Sequence, residues 1–141
     1  MKILFIRPPR RDYGIVISAE VSKAQGVLPP LGIAYIASYL RQHSYDVSIL
    51  DCEAMNYSLA EVREYCMTMK PSVVGITCLT SNLKEALKVA SIAKMCGAVT
   101  VMGGSHITAY PDKTYPCVDY AIAGEGEVQM LALVRQLDDQ S

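Results

Sequence analysis

The sequence predicts an α/β fold, a parallel sheet covered by helices on both faces. Two observations carry that expectation. Short apolar runs of strand length (Lys2 to Ile6, Asp46 to Asp51, Ser72 to Thr77, Ala98 to Met102 and Tyr120 to Ala123) alternate with segments of helical apolar spacing. The chain has 141 residues, 51% apolar and 19% charged, which suits one well-filled domain and excludes a disordered or acidic-tail chain.

The elements follow in order. Lys2 to Ile6 is stopped by Arg7-Pro8-Pro9, where Pro8 disfavours helix at Arg7, so the run is a strand ending in a turn. Residues 10 to 30 carry Gly14, Gly26 and Pro29-Pro30 without a helical period. Gly14-Ile15-Val16-Ile17 can pair locally there, and a connection this long marks a candidate site. Leu31 to Gln42 is a helix with Ile33, Ile36, Ala37 and Leu40 on one face and Tyr35 with Tyr39 on another, so it should be covered on two sides. The two tyrosines fit either core packing or an aromatic wall at a domain interface. Asp46 to Asp51 alternates as a strand, and Ser58-Leu59-Ala60-Glu61 is a capping box opening a helix with Leu59, Val62, Cys66 and Met69 on one stripe. Lys70-Pro71 stops it.

Ser72 to Thr77 suits an interior parallel strand. Asn82 with Glu85 can cap a helix whose Leu83, Ala86, Leu87, Ala90 and Ala93 face inward, and Gly97 ends it. Ala98 to Met102 is the next strand, ending at Gly103-Gly104. Thr108 to Tyr115 is a short helical or irregular piece broken by Pro111, Tyr120 to Ala123 is the last strand, and Glu125 to Leu137 is the closing helix. Five strands interleaved with helices in this way predict a flavodoxin-like (Rossmann-like) three-layer sandwich with its parallel sheet in the order 2-1-3-4-5. Such sheets bind ligands outside the carboxyl ends of their strands, near the switch point between the first and third.

Charge and cysteine content narrow the function. Thirteen Lys plus Arg against 14 Asp plus Glu leave a net charge of -1, which gives no electrostatic basis for a nucleic acid or an anionic membrane as partner. The longest apolar stretch, Leu28 to Leu40, is interrupted by prolines and a glycine and falls short of the ~20 residues of a membrane-spanning helix. The first residues lack the apolar segment of a secretory signal, so a cytoplasmic protein is expected. Cys52, Cys66, Cys78, Cys96 and Cys117 are too widely spaced for a zinc or iron–sulfur motif and odd in number, which predicts free, mostly buried thiols.

The strand ends then decide between ligand classes. After the first strand, Arg7-Pro8-Pro9-Arg10 has no glycine for the close backbone approach that a dinucleotide or phosphate loop needs, and no acids for a phosphate-accepting receiver site. A nucleotide or flavin carrier is disfavoured on that ground. After the third, Thr77-Cys78-Leu79-Thr80 supplies small hydroxyl groups that serve a turn and cap equally well. After the fourth, Gly103-Gly104-Ser105-His106 permits a positive φ or backbone N–H groups facing a ligand. After the fifth, Gly124-Glu125-Gly126-Glu127 places two glycines and two acids at a helix start, where carboxylates complement the dipole. Three consecutive small loops on the cleft-forming edge favour a ligand site over separate caps.

Four segments in this order carry a specific resemblance: L-P-P-L-G-I-A-Y-I-A-S-Y-L-R (28 to 41), V-V-G-I-T (73 to 77), V-M-G-G-S-H-I-T (101 to 108) and A-G-E-G-E (123 to 127). Together they resemble the amino-terminal cobalamin-binding domain of cobalamin-dependent radical S-adenosylmethionine enzymes, over about residues 2 to 137. Cobalamin-binding domains in general carry D-x-H-x-x-G after the first strand, S-x-L after the third and G-G after the fourth. Thr77-Cys78-Leu79 is similar to the second, Gly103-Gly104 matches the third, and the first is missing, as in the radical branch. The resemblance therefore implies cobalamin held with its dimethylbenzimidazole tail detached and without a His ligand.

It also implies a site. The flat tail would slide past Thr77, Gly103 and Gly104, with Cys78, Leu79 and Thr80 in the adjoining loop. Ser105, His106 and Thr108 would line the nucleotide loop, Gly124, Glu125, Gly126 and Glu127 would approach from the other side, and Leu28, Pro30 and Leu31 would face the corrin. In the resembled family the cofactor carries a methyl group from S-adenosylmethionine to a substrate radical made by a separate 4Fe-4S domain, and some members use it without methyl transfer. Residues 1 to 141 contain no cluster motif, so the resemblance implies a non-catalytic module, a fragment or excised domain that presents cobalamin to a radical S-adenosylmethionine domain in cis or in trans. A flavodoxin-like module that binds no corrin and docks a partner protein is the alternative.

Single residues have rival readings. His106 sits in a glycine loop where hydrogen bonding competes with metal ligation, and His43 ends a helix, where a cation suits the dipole. Asp51 is a cap or turn carboxylate, because no glycine turn precedes it to make a ribose site. Arg7, Arg10 and Arg11 form the one basic cluster, open to a ligand phosphate, a neighbouring domain or solvent, and nothing beside Cys78 would depress its pKa.

Overall fold

Four consecutive apolar residues, Ile3 to Ile6, make a strand buried on both faces, and this is β1 (Lys2–Arg7) inside the sheet. The computed structural model describes residues 1–10 and 28–141; the Gly14 to Ile17 run and Arg11 lie outside the described residues. Then come α1 (Leu31–Gln42), β2 (Asp46–Asp51), a short α2 (Cys52–Met55), α3 (Leu59–Met69) and β3 (Val73–Thr77). A single 3-10 turn (Thr80–Asn82) leads into α4 (Leu83–Met95), followed by β4 (Val99–Gly103), α5 (Ser105–Ala109), β5 (Tyr120–Ile122) and α6 (Glu127–Asp139).

All four strand pairings are parallel and the order is β2-β1-β3-β4-β5, as the sequence predicts. The two-residue period of the strands sorts their side chains into two cores. Leu4, Ile6, Val74, Ile76 and Met102 meet α3 and α4, whose buried residues include Val62, Cys66, Ala86 and Ala90. Ile3, Phe5, Val73 and Val101 face the other way, against Ile33, Ala37 and Leu40 of α1 and Met130 and Val134 of α6. Among the described residues, no helix is long and apolar enough to cross a membrane.

Local chemistry accounts for the boundaries. The Ser58 hydroxyl accepts the Glu61 N–H and starts α3, which Lys70 ends in the left-handed conformation. Gly97 turns the chain at φ +86° after α4. Several expectations are corrected. Asn82 does not cap α4 with its side chain, because its Oδ1 turns back to accept the Leu79 N–H at 2.8 Å. The short helix near residue 108 begins earlier, at Ser105, and ends before Pro111. α2 was not expected, and α6 starts at Glu127 rather than Glu125. The two-sided cover of α1 does not hold among the described residues: Leu31 is 60% and Tyr35 64% exposed, since the helix forms an outer layer with β2 and α6 as its neighbours. Tyr35 is thus not a core residue. Tyr39 stacks on His43 (centroids 4.7 Å), whose Nδ1 donates to the Tyr39 carbonyl at the helix end.

Candidate functional site

The carboxyl edge of the sheet carries a slot between β3 and β4 on one side and α1 and α6 on the other. It encloses about 230 Å³. Its mouth is formed by Thr77, Gly103, Gly104 and the 124–127 loop, and its depth is reached past Gly75, Val101 and Phe5. Ile33 and Ile36 of α1 and Met130 of α6 close the helical side. Pockets that enclose a whole drug-sized ligand run to about 300–1,000 Å³, whereas an apolar cavity of roughly 150 Å³ takes one benzene ring. The slot therefore suits a flat bicyclic appendage and is too small for a macrocycle.

Beside it lies a second depression of about 440 Å³, lined by Leu28, Pro30, Leu31, Leu79 and Asn82 with Arg7, Arg10 and Glu53 around them. Thr77, Gly32 and Ile33 line both spaces, so the two meet at the end of β3. Leu28 is 82% exposed, which leaves an apolar shelf outside the slot mouth.

The glycines shape this edge. Six of the seven described glycines, all but Gly97, line the slot. Gly104 has φ +108°, and a Cβ there would sit 2.6 Å from the Cys78 carbonyl oxygen, so the backbone itself demands glycine. The Gly103 carbonyl accepts the Cys78 N–H at 2.7 Å and the Cys78 carbonyl accepts the His106 N–H at 3.1 Å, which stitches the loops after β3 and β4 together. At Gly75 a Cβ would meet the Phe5 ring at 2.5 Å, and at Gly126 the Ile36 side chain at 2.7 Å. Gly32 and Gly103 differ: a Cβ at Gly32 would meet nothing within 4 Å, and one at Gly103 only the Ile122 carbonyl at 3.4 Å. Neither has a positive φ, so packing does not explain their missing side chains.

The structure brings to the slot Thr77, Gly103, Gly104, Gly124, Glu125, Gly126 and Glu127, and to the neighbouring depression Leu28, Pro30, Leu31 and Leu79. Other expected residues line neither space. Cys78 is fully buried, and burial pushes its thiol up to about 11, which keeps it protonated. His106 is 4% exposed, with Nδ1 3.1 Å from the hydroxyl of the exposed Thr80 and Nε2 3.0 Å from the Tyr115 hydroxyl, so both ring nitrogens have protein partners. Ser105 is exposed at the start of α5. Thr108 donates to the Gly104 carbonyl at 3.0 Å and accepts the Gly124 N–H at 2.9 Å, joining two mouth loops from behind.

Sequence reasoning missed the deep lining. Gly75 was legible, because a glycine inside a strand marks close approach of another group. Phe5, the one phenylalanine of the chain, lies over it. Ile36, Ile122 and Met130 left no signal separable from ordinary core pattern. Nor is Arg7 a loose basic residue: its Nε and one terminal nitrogen donate to the two Asp51 oxygens at 2.8 and 2.6 Å. Partial burial pushes the Asp51 carboxyl up, but the Arg7 bonds, the Ala54 N–H and the Arg7 charge outweigh it and hold the group below the usual carboxylate value.

Comparison with known proteins places this geometry. The family described as B12 binding domain matches residues 17–134. An anaerobic magnesium-protoporphyrin IX monomethyl ester cyclase of Rubrivivax gelatinosus is 39% identical over 98% of this chain and 25% of its own length. An uncharacterized methyltransferase of Pyrococcus horikoshii is 36% identical over 97% of this chain and 29% of its own. The fold is similar to that of the radical S-adenosylmethionine methyltransferase TsrM from Kitasatospora setae, solved with cobalamin and a [4Fe-4S] cluster bound. There the TM-score is 0.76 at 15% identity, over 99% of this chain and 25% of that one. The chain thus spans about a quarter of the length of the relatives it matches.

Proposed function

The chain belongs to the B12-binding domain family, and from that premise we propose that it holds cobalamin with the dimethylbenzimidazole tail detached and lying in the slot, without a His ligand to cobalt. The observation that carries this reading is the unfilled space over Gly32 and Gly103, which a side chain could occupy without strain and which the protein leaves to something else. The slot's size supports a planar appendage in particular.

The two histidines of the chain support the rest. His106 is engaged by Thr80 and Tyr115, and His43 ends α1, which runs antiparallel to the strands and so finishes at the opposite edge of the sheet. Thr77, Gly103, Gly104 and Gly124 to Glu127 flank the tail. Leu28, Pro30, Leu31 and Leu79 form the shelf on which the corrin lies. Cys78, Thr80, His106 and Thr108 act beside the mouth by holding its loops in place, and Ser105 stands exposed at the start of α5.

When bound, the corrin supplies the cobalt centre that a radical S-adenosylmethionine domain requires, in cis or in trans, with methyl transfer as the reaction of the whole enzyme. The exposed Tyr35 face of α1 is the surface this domain covers. Incubation with hydroxocobalamin at tens of micromolar followed by desalting tests the reading. Corrin absorbance is expected to coelute with the protein; a colourless protein would refute cobalamin binding and leave a partner-docking module.

A further inference from the structure

Arg7 stands at the end of β1, outside the slot, yet its guanidinium spans three elements. Two of its nitrogens grip both oxygens of Asp51, and the third, Nη1, donates to the Leu28 carbonyl at 2.7 Å. Asp51 is itself anchored, because its Oδ1 also accepts the Ala54 N–H at 3.1 Å at the start of α2. The pair is largely shielded, with 13% and 16% of the two side chains exposed, and Glu53 lies 3.8 Å from the same Nη1.

Leu28 leads into Pro29-Pro30, which have no N–H to donate to the sheet. The carbonyls of these prolines receive the Leu31 and Ala34 N–H groups and so begin α1. Among the described residues, the Arg7 bond is the one that ties the Leu28–Pro30 backbone to a strand. α1 in turn carries Gly32, Ile33 and Ile36, the helical wall of the slot.

We infer that Arg7 is a positioning residue for the slot: by clasping the Leu28 carbonyl to the Asp51 carboxylate it sets where α1 enters and how far its wall stands from Gly75 and Gly103. A bidentate fork with a spare donor is needed for this, which lysine does not offer. The consequence for binding rests on the cobalamin reading; the consequence for α1 does not.

Four variants of the chain test it: Arg7→Met, Arg7→Lys, Asp51→Asn, and the exchanged pair Arg7→Asp with Asp51→Arg. Each is assayed for its hydroxocobalamin Kd, its melting temperature and amide exchange of residues 31–36 without cofactor. Arg7→Met is expected to raise Kd at least tenfold and to speed exchange at 31–36 at least tenfold while exchange at 74–76 stays unchanged. Arg7→Lys, whose ammonium lacks the planar fork that pairs both Asp51 oxygens while a third nitrogen donates to Leu28, is expected to keep the melting temperature and still raise Kd severalfold, so the test survives if Arg7→Met folds poorly. Asp51→Asn frees the fork from its anchor and should follow Arg7→Met.

The exchanged pair restores the ion pair, but an aspartate at position 7 has no N–H for the Leu28 carbonyl. It should recover the melting temperature without recovering Kd. Recovery of both together, or an Arg7→Met variant with exchange and Kd within twofold of the original, overturns the proposal. Failure of the unaltered chain to bind hydroxocobalamin instead overturns the cofactor reading, and the exchange data then decide the clasp alone.

Discussion

Filling the slot from its mouth is the direct test of the proposed place of the tail, and the structure selects the position. Gly104 is a poor choice, because its φ of +108° and the Cys78 backbone 2.6 Å from its Cβ position would make any side chain disrupt the fold. A Gly104→Trp variant, otherwise the obvious plug, is therefore expected to unfold rather than simply to block. Gly103 has an ordinary φ, and its first carbon meets only a carbonyl at 3.4 Å. In Gly103→Phe the added ring claims roughly 150 Å³ of the slot's 230 Å³. A buried bicyclic tail removes roughly 150–250 Å² of surface from water, worth at most about 4–6 kcal/mol at ~25 cal/mol/Å². If half of that is realised, 2–3 kcal/mol is lost and Kd rises about 30- to 150-fold. Titration with hydroxocobalamin measures it, and cobinamide, the corrin without its nucleotide, is the control whose binding should not change. A Gly103→Phe chain that binds cobalamin within threefold of the original, with an unchanged melting temperature, would refute the placement of the tail.

Other perturbations follow from the same contacts. Gly104→Ala should cost about 2–3 kcal/mol of stability through strain and the Cys78 contact, read from urea unfolding; a loss under 0.5 kcal/mol would contradict the loop geometry. The folded Asp51 pKa lies below its unfolded value of 3.8. The stability this group contributes is thus complete above about pH 5, declines as pH falls through the unfolded value, and is gone below the lower folded value. Asp51→Asn should flatten that acid limb in urea titrations between pH 6 and pH 2.5, and an identical limb in both chains would count against the Arg7 pair. Cys52, Cys66 and Cys78 are buried, with thiols pushed up to about 12, 11 and 11 chiefly by that burial. Iodoacetamide at pH 8 should label the half-buried Cys96 and Cys117 first, and mass mapping that finds Cys78 labelled equally fast would show the mouth loops opening.

Most of the fold was legible because each strand and long helix announces itself by local pattern. The periods of Ile33, Ala37 and Leu40 or of Val62 and Cys66 need no knowledge of their partners. The site was legible only at its mouth, where glycines and hydroxyls interrupt an apolar chain. Its interior was not, because Ile36, Val101 and Met130 are ordinary core residues in sequence and become lining only through what fails to stand opposite them. The same holds for Arg7: a cationic residue before two prolines looks solvated until β2 and the start of α1 close around it. For His106 the loop sequence left metal ligation and hydrogen bonding open, and only the packing of Thr80 and Tyr115 against its ring shows that both nitrogens hydrogen-bond.

The sheet's two faces differ in a way that links cofactor to stability. Toward α3 and α4 the strands present Leu4, Ile6, Val74, Ile76 and Met102, none more than 3% exposed. Toward α1 and α6 the Phe5 ring covers Gly75, but at Gly103 a side chain that could have contributed about 1.5–3 kcal/mol of burial is absent. That deficit is a sizeable share of the ~5–15 kcal/mol by which domains of this kind are stable. On the proposed reading a tail entering the slot would supply the missing apolar contact, and binding to the folded state alone would add about 2.7 kcal/mol at a hundredfold excess over Kd. For a chain of this length that corresponds to a rise in melting temperature of roughly 10 °C. Cobalamin should give this rise and Gly103→Phe, with its Kd about 30- to 150-fold higher, should cut it to roughly 1–3 °C at the same free concentration. The same rise in both chains would mean that the corrin stabilises the domain from its outer shelf and that the slot takes no part.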